Sequence, residues 1–247
     1  MGCGAAPDDS LVLSLVELCR NWHPIDRALA MVAAACPRQD RTALPALPLG
    51  DRDIILLDLR ERLFGPVLDL STDCPQCSTL VTLAPAIEAL WQDEPDAAER
   101  AAASAVEIGD RALQLRPVDS RDLAAAARAG DAAEARHILA ARCLADETGA
   151  GVDPALLDDA LLDEIAARLA RLDPQADLAF ALDCPECGHA WEAPLDIGAV
   201  LWRELQWKAE ALIGEIHELA LNYHWSEAEI LGIGPTRRAA YLRLIRA

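Results

Sequence analysis

The sequence has few aromatic and few basic residues, and it has no long apolar stretch that is free of charges. Only 4% of the 247 residues are aromatic, and 22 lysines and arginines are outnumbered by 41 aspartates and glutamates. The formal charge of -19 repels phosphate backbones and anionic lipid surfaces, which argues against general nucleic-acid binding and against membrane association. Because charges interrupt every window of about 18 residues, we also expect no transmembrane helix.

The first ten residues lack a basic region followed by an apolar core, so we expect no secretory signal. Met1, Gly2 and Cys3 resemble the start of an acylation signal. No Ser or Thr follows where a myristoylation site requires one, and we therefore expect a short disordered tail. The expected compartment is the cytoplasm, where thiols stay reduced.

Alanine and leucine supply most of the apolar residues, and their spacing predicts a mostly helical chain. Short apolar runs separated by turn residues predict β-hairpins within 67–84, 106–115 and 178–195. The predicted helices cover about 10–19, 25–35, 50–64, 85–91, 120–129, 131–144, a stretch of about 18 residues from 153, 201–223, 226–231 and 235–247.

Two matched Asp-Cys-Pro-x-Cys turns are the most informative motif and the only internal repeat that the sequence displays. They contain Cys74 with Cys77 and Cys184 with Cys187, and each pair lies between two strand-like apolar runs. One such turn offers two thiolates to a metal ion, and two turns complete a tetrahedral four-sulfur site. The sequence therefore predicts a structural Zn²⁺ site of the zinc-ribbon type, split by a long insertion between the two turns.

Two alternatives for these cysteines stay open, namely a disulfide or redox pair, and cysteines that bind nothing. A thioredoxin-type pair lies where a strand passes into a helix, whereas a strand is expected after both pairs here. His189 is an alternative ligand, although we expect a solvated turn residue. Cys19, Cys36 and Cys143 follow helical apolar patterns and are expected to be small core residues.

No group of residues in the sequence predicts catalysis. His217 and His224 are seven positions apart, which separates them by about 10 Å along a helix, too far to share one metal ion. The Gly232–Pro235 run lacks the lysine and the preceding strand of a phosphate-binding loop. A four-cysteine zinc site has no open coordination position. We therefore predict that the protein is not an enzyme.

The C-terminal quarter contains two candidate docking features. Its last helix has four arginines and no acidic residue, which either pair with acids of the same chain or dock on a partner: Arg237, Arg238, Arg243 and Arg246. Three tryptophans are likewise either core residues or anchors of a partner-binding surface: Trp202, Trp207 and Trp225.

Three groups of segments resemble proteins of contractile phage tails. The segments are PIDRAL (24–29), LPLGDRD (47–53) and FGP (64–66); the two cysteine turns with LRPVDSRDL (115–123) between them; and EIH (215–217) with YHWSEAEIL (223–231). The first two groups resemble the baseplate protein family of T-even-like phages, which includes hub components and hub assembly chaperones. The third resembles short tail-assembly proteins whose Tyr-x-Trp-Ser turn joins two helices.

The resemblance implies a non-enzymatic accessory protein of a contractile phage tail-like particle or injection system. Such a protein acts as a baseplate or tail assembly chaperone or as a minor baseplate component, and its partners are tail or baseplate proteins. It would be cytoplasmic or carried within the particle. The alternative is a zinc-ribbon regulatory adaptor that binds another protein, for which the acidic or neutral surroundings of both turns are unfavourable.

The expected fold is an α+β protein, predominantly α-helical, with a split zinc ribbon and a helical C-terminal segment. We expect one compact domain composed of an N-terminal helical segment (1–66), a first zinc-knuckle hairpin (67–84), a hairpin with a helical insertion (85–177), a second knuckle hairpin (178–195) and a C-terminal helical segment (196–247).

Overall fold

The computed structural model describes residues 8–109, 111–146 and 148–246. The expectations for Cys3, for the second residue of the 109–110 turn and for the end of the last helix at residue 247 lie outside these ranges. The helices are α1 (Asp9–Cys19), α2 (Pro24–Ala35), α3 (Leu49–Phe64), α4 (Ala97–Ser104), α5 (Ser120–Ala126), α6 (Ala132–Cys143), α7 (Asp159–Leu172), α8 (Ile197–Tyr223), α9 (Glu227–Leu231) and α10 (Pro235–Arg246). The mixed, mostly helical fold class that the sequence predicts is confirmed.

The strands form three small antiparallel sheets. The first hairpin consists of β1 (Leu70–Asp73) and β2 (Leu80–Leu83), the central sheet of β3 (Ala105–Ile108), β4 (Arg111–Leu115) and β5 (Leu144–Ala145), and the second hairpin of β6 (Ala179–Asp183) and β7 (Ala190–Pro194). In the two outer hairpins, Ser71 pairs with Thr82 and Leu182 pairs with Trp191. These two hairpins carry the cysteine turns.

The largest apolar core lies between α1, α2, α3 and the first half of α8. Met31, Leu56 and Leu201 are fully buried there, because each helix directs one apolar stripe toward the others. Arg60 on α3 donates to both carboxylate oxygens of Glu204 on α8, at 3.0 and 2.8 Å. The same guanidinium donates to the backbone carbonyl of Gly65, and so it connects α3, α8 and the segment that leads to β1.

A second core joins the central sheet to α6 and α7, with Leu113, Leu144 and Ile165 at its centre. A third, smaller core joins the end of α8 to α9 and α10. Here the rings of Tyr223 and Trp225 stack with centroids 4.6 Å apart. The C-terminal helices therefore have their own packing contacts with α8.

Helix α7 begins later than the sequence predicts. Asp153 and Pro154 start only a short 3-10 turn (Pro154–Leu156), and the α-helix begins at Asp159, where the Asp158 side chain accepts the Leu161 amide. As a result Leu156, expected to face inward, is 62% exposed. Both aspartates act as N-caps, since Asp153 accepts the Ala155 amide of the 3-10 turn and Asp158 accepts an amide of the first α-helical turn.

Two other elements differ from their predicted form, and two more were not predicted. Helix α5 ends at Ala126 and continues as turns, and the predicted helix 85–91 is a 3-10 helix over Ile87–Leu90. Helix α4 and the two-residue strand β5 were not predicted. The α4 start carries a capping box, in which Asp96 accepts the Ala98 and Glu99 amides.

The order of elements in the first third of the chain recurs after the central hairpin. Two helices, a 3-10 turn, a longer helix and a cysteine-bearing hairpin occur as α1, α2, Leu44–Ala46, α3 and β1–β2. They occur again as α5, α6, Pro154–Leu156, α7 and β6–β7, with β5 and a second 3-10 turn (Pro174–Ala176) as additional elements. Leu49 starts α3 and Asp159 starts α7, which is the same separation as that of Cys74 and Cys184. The repeat therefore extends well beyond the two turns that the sequence displays.

Candidate metal centre

Each cysteine turn is held by the same two backbone hydrogen bonds. The Cys74 amide donates to the Thr79 carbonyl at 2.9 Å, and the Ser78 amide donates to the Cys74 carbonyl at 2.8 Å. In the second hairpin, the Cys184 amide donates to His189 and the Gly188 amide donates to Cys184, both at 2.9 Å. Two matching tight turns thus present two thiols each.

Both turns require a backbone in the left-handed region one residue after the second cysteine. Gly188 has a φ of 70°, which glycine adopts without a steric penalty. Ser78 occupies the equivalent position with a φ of 59°, where its Cβ approaches the following carbonyl group. The first turn is therefore more strained than the second.

The two turns meet, so that all four Sγ atoms lie within 4.8 Å of one another. Cys74 Sγ is 3.7 Å from Cys187 Sγ, and Cys77 Sγ is 3.5 Å from Cys184 Sγ. A tetrahedral ion with metal–sulfur bonds of about 2.3 Å requires sulfur–sulfur separations of about 3.8 Å. The four thiols therefore have the spacing of a tetrahedral four-sulfur site.

The arrangement is close to two-fold symmetric. The first cysteine of each turn contacts the second cysteine of the other, and Cys74 and Cys184 are buried whereas Cys77 and Cys187 are exposed. All four are free thiols, and their separations far exceed a disulfide bond of about 2.05 Å. The disulfide alternative therefore does not describe these four cysteines.

Proton binding by the exposed thiols is strongly perturbed. Hydrogen bonds from the Thr79 hydroxyl and amide lower the pKa of the Cys77 thiol to about 6. The His189 amide acts in the same direction on Cys187, but desolvation and the neighbouring thiols raise the pKa of Cys187 to about 12. The cluster therefore stabilises one thiolate, and this thiolate repels a second one. A bound cation would remove the repulsion.

His189 lies outside this cluster, which among the described residues contains only the four cysteines. Its ring is half-buried and stacks on Trp191, with centroids 6.2 Å apart. The remaining described cysteines, Cys19, Cys36 and Cys143, are buried in the apolar cores, as their helical pattern predicted. Burial raises the pKa of Cys143 to about 12, so that its thiol stays protonated.

The arginines of α10 divide into two classes. Arg238 is buried, and its guanidinium donates to Glu215 and to Asp9, both at 2.6 Å, whereas Arg246 pairs with Glu218. Arg237 and Arg243 are exposed and form no ion pair with any residue that the structure describes. Two of the four arginines therefore pair with acids of the same chain, and the other two remain available to a partner.

The three C-terminal tryptophans occupy different environments rather than one cluster. Trp202 is buried in the largest core, and Trp225 belongs to the small core formed by α8, α9 and α10. Trp207 is 60% exposed, and the guanidinium of Arg203 lies 5.5 Å above its ring. His224 ends α8 in the left-handed conformation and shares no metal-binding group with His217 among the described residues.

A buried charged cluster around Asp122 was not predicted. The Asp122 side chain is completely buried and accepts hydrogen bonds from Arg116, Arg142 and the Asp119 amide. Although burial alone raises its pKa, these donors lower the pKa to about 2. Arg116, Asp119 and Asp122 lie in the 115–123 segment and Arg142 lies on α6, and no local pattern shows that Asp122 is buried.

Neither a scan against protein-family models nor searches of curated proteins and of solved structures gives a match to this chain. None of the helices over the described ranges combines the length and the apolar character needed to cross a bilayer. The fold and the site define a mixed α+β protein whose two distant hairpins share a four-cysteine cluster able to hold a metal ion.

Proposed function

We propose that the four cysteines bind one structural Zn²⁺ ion and that the chain is a non-enzymatic accessory protein of a contractile phage tail-like particle. The zinc assignment is supported by the donor set, since four thiolates at tetrahedral spacing are typical of structural zinc sites. A four-thiolate site has no coordination position left for a substrate, which supports a role in folding rather than in catalysis.

One observation carries the proposal. Two cysteine turns that are far apart in the sequence place their four Sγ atoms within 4.8 Å of one another. Without an ion, four thiols this close gain little, whereas a bound ion connects the two hairpins and contributes its binding free energy to folding. The metal would therefore hold together the two repeated halves of the molecule.

Metal analysis of reduced, purified protein tests this part directly. We expect one zinc per chain, and we expect Cys184→Ser to lose it. Cys143→Ser is the matched control, because this buried thiol lies outside the cluster and its substitution should leave the zinc content unchanged. Protein without stoichiometric zinc contradicts the assignment.

The particle role is supported by the resemblance of three groups of segments and by the charge of the chain. A net charge of -19 favours partners with basic surfaces. The C-terminal quarter also has four exposed apolar side chains on α8 and on α10, the helix that carries the two available arginines. These are Trp207, Ile213, Leu221 and Leu244. We propose that this quarter docks on a tail or baseplate protein.

Protein composition of particles from the native host distinguishes the possible roles. An assembly chaperone binds its partner in lysates and is absent from finished particles, whereas a minor baseplate component is present in both. A protein that is in neither fraction and captures only regulatory proteins would contradict the particle role and favour the adaptor alternative.

Charge reversal of the two exposed arginines tests the docking surface. Arg237→Glu with Arg243→Glu should abolish capture of the tail or baseplate partner. Arg128→Glu, at an exposed position in the turns that follow α5, should have no effect. Equal capture by both variants would contradict docking through α10.

A further inference from the structure

An open cleft separates the two cysteine-bearing hairpins, and strand edges form its walls. The cleft encloses about 500 Å³ and is lined by residues 70–73 on one side and residues 191–196 on the other. Successive residues of a strand point to opposite faces of its sheet. A wall formed by consecutive residues is therefore a strand edge rather than one face of a sheet.

On the β1 wall, two residues direct their backbone groups away from the hairpin. The Cys74 amide bonds to Thr79, and bonded and non-bonded pairs alternate along an antiparallel ladder. Thr72 is therefore bonded to its partner in β2, whereas Ser71 and Asp73 direct their N–H and C=O groups outward. No hydrogen bond joins these outward groups to another element of the described chain.

On the β7 wall, one residue likewise directs its backbone groups away from its hairpin. The Cys184 amide bonds to His189, so the alternation places Trp191 and Ala193 in the ladder and turns the backbone of Glu192 outward. Each hairpin is a sheet of only two strands, so no third strand among the described residues pairs with either edge. Unpaired edges of this kind are sites where another extended chain can add a strand.

The side chains around the cleft specify what kind of chain fits. Its lining includes apolar groups from both hairpins, among them Leu83, Phe180 and Leu195. The acidic residues that line it are Asp73, Glu192 and Asp196. Arg203 is the single basic residue of the lining, and its guanidinium lies over the Trp207 ring, 5.5 Å from the centroid.

We propose that this cleft binds an extended segment of a partner protein, which adds to β1 as a third strand and carries basic side chains. The outward groups of Ser71 and Asp73 pair with the backbone of the segment, which supplies affinity independent of its sequence. The acidic rim selects lysine or arginine on alternate residues. A second copy of this chain is a poor occupant, because both copies carry a charge of -19.

The cleft is a candidate surface for the partner binding proposed above, so this inference rests on the proposed function. The two are tested separately. Strand addition is measured with a synthetic peptide and the full chain, whereas the particle role is measured from the composition of particles. Failure of one test leaves the result of the other intact.

The probe is a fluorescent eight-residue peptide of alternating valine and lysine, titrated into the zinc-loaded full chain and followed by fluorescence anisotropy. Ser71→Pro removes one outward N–H, and we expect it to weaken binding about tenfold, since the partner carbonyl stays unpaired. Thr82→Pro is the matched control, because Thr82 pairs with Ser71 and its outward groups lie on the opposite edge of the same hairpin. We expect it to leave binding unchanged.

Three further measurements need no protein variant. Methylation of alternate backbone nitrogens of the peptide should abolish binding although its charge is unchanged, and a valine–glutamate peptide should not bind. Amide exchange of Ser71 and Asp73 should slow in the complex. Equal binding by Ser71→Pro and Thr82→Pro, retained binding by the methylated peptide, or no binding of the lysine peptide would each overturn the proposal. Sedimentation showing that the cleft closes by dimerisation would also overturn it.

Discussion

Single buried polar side chains connect parts of this chain that are distant in sequence. Asp122 joins the end of β4 to α6 through Arg116 and Arg142. Asp173 accepts the Gly50 amide at 2.9 Å, and the Gln175 side chain accepts the Gln92 amide at 2.9 Å. The bond between Asp173 and Gly50 connects the two repeated halves at a point away from the cysteine cluster.

At the residue scale, the Asp122 cluster should contribute measurably to stability. We expect Asp122→Ala to lower the free energy of unfolding by about 2 kcal/mol. This value is at the lower end for the loss of a buried ionic group, because Arg116 and Arg142 are partly exposed and can bind water instead. Asp163→Ala is the control, since its pair with Arg136 is exposed and should be worth almost nothing. Urea denaturation measures both, and equal losses would contradict the assignment.

The contribution of the Asp122 cluster to the free energy of unfolding should depend on pH. The pKa of Asp122 is about 2 in the folded protein and about 3.9 when unfolded, so the folded state binds the proton less readily. Its stabilisation is complete above the unfolded pKa and is lost as the pH falls toward 2. The difference in unfolding free energy between wild type and Asp122→Asn should therefore shrink below about pH 4. A difference that stays constant down to pH 2 would contradict this.

At the scale of elements, the two cysteine hairpins have the same design with different residues at one critical position. Gly188 and Ser78 both have positive φ, and a Cβ added at Gly188 would meet no atom within 4 Å. A side chain at either position therefore changes the backbone energy without creating a clash. The first hairpin carries this strain and the second does not.

This difference predicts opposite effects of exchanging the two residues. We expect Ser78→Gly to stabilise the zinc-loaded protein by about 0.5 to 1 kcal/mol, and Gly188→Ser to destabilise it by about 1 kcal/mol. Thermal unfolding of the two variants beside wild type measures both. Destabilisation by Ser78→Gly would show that the left-handed turn is not the source of strain.

How far the sequence predicts these elements depends on whether the signal is local. The hairpins, the four cysteines and the helix that follows Ser226 are specified by turn and capping residues within a few positions. Helix α4 has a local capping signal at Asp96 as well, so this helix was within reach of the sequence although it was not predicted. The burial of Asp122 and the facing edges of β1 and β7 depend on tertiary packing, which no local pattern contains.

At the scale of the whole molecule, two halves with the same order of elements share one cysteine cluster. Each half contributes one buried and one exposed thiol, and the cores of both halves are separate apolar clusters. Under the zinc assignment, the ion is a cross-link between the halves. Its loss should therefore affect the whole chain rather than one hairpin.

Removal of the metal should reveal this coupling. We expect chelation to lower the free energy of unfolding by several kcal/mol, up to about 10 kcal/mol as in zinc-dependent peptides, and to increase amide exchange in both hairpins. Calorimetry with hydrogen exchange, before and after chelation, measures this. An increase of exchange confined to one hairpin would contradict a shared ion.

The most direct test of the account is zinc K-edge X-ray absorption of the reduced, purified protein. The account predicts one zinc per chain with four sulfur ligands at about 2.3 Å and no nitrogen or oxygen in the first shell. A shell containing nitrogen or oxygen, or protein that carries no zinc, would contradict a single tetrathiolate ion between the two hairpins.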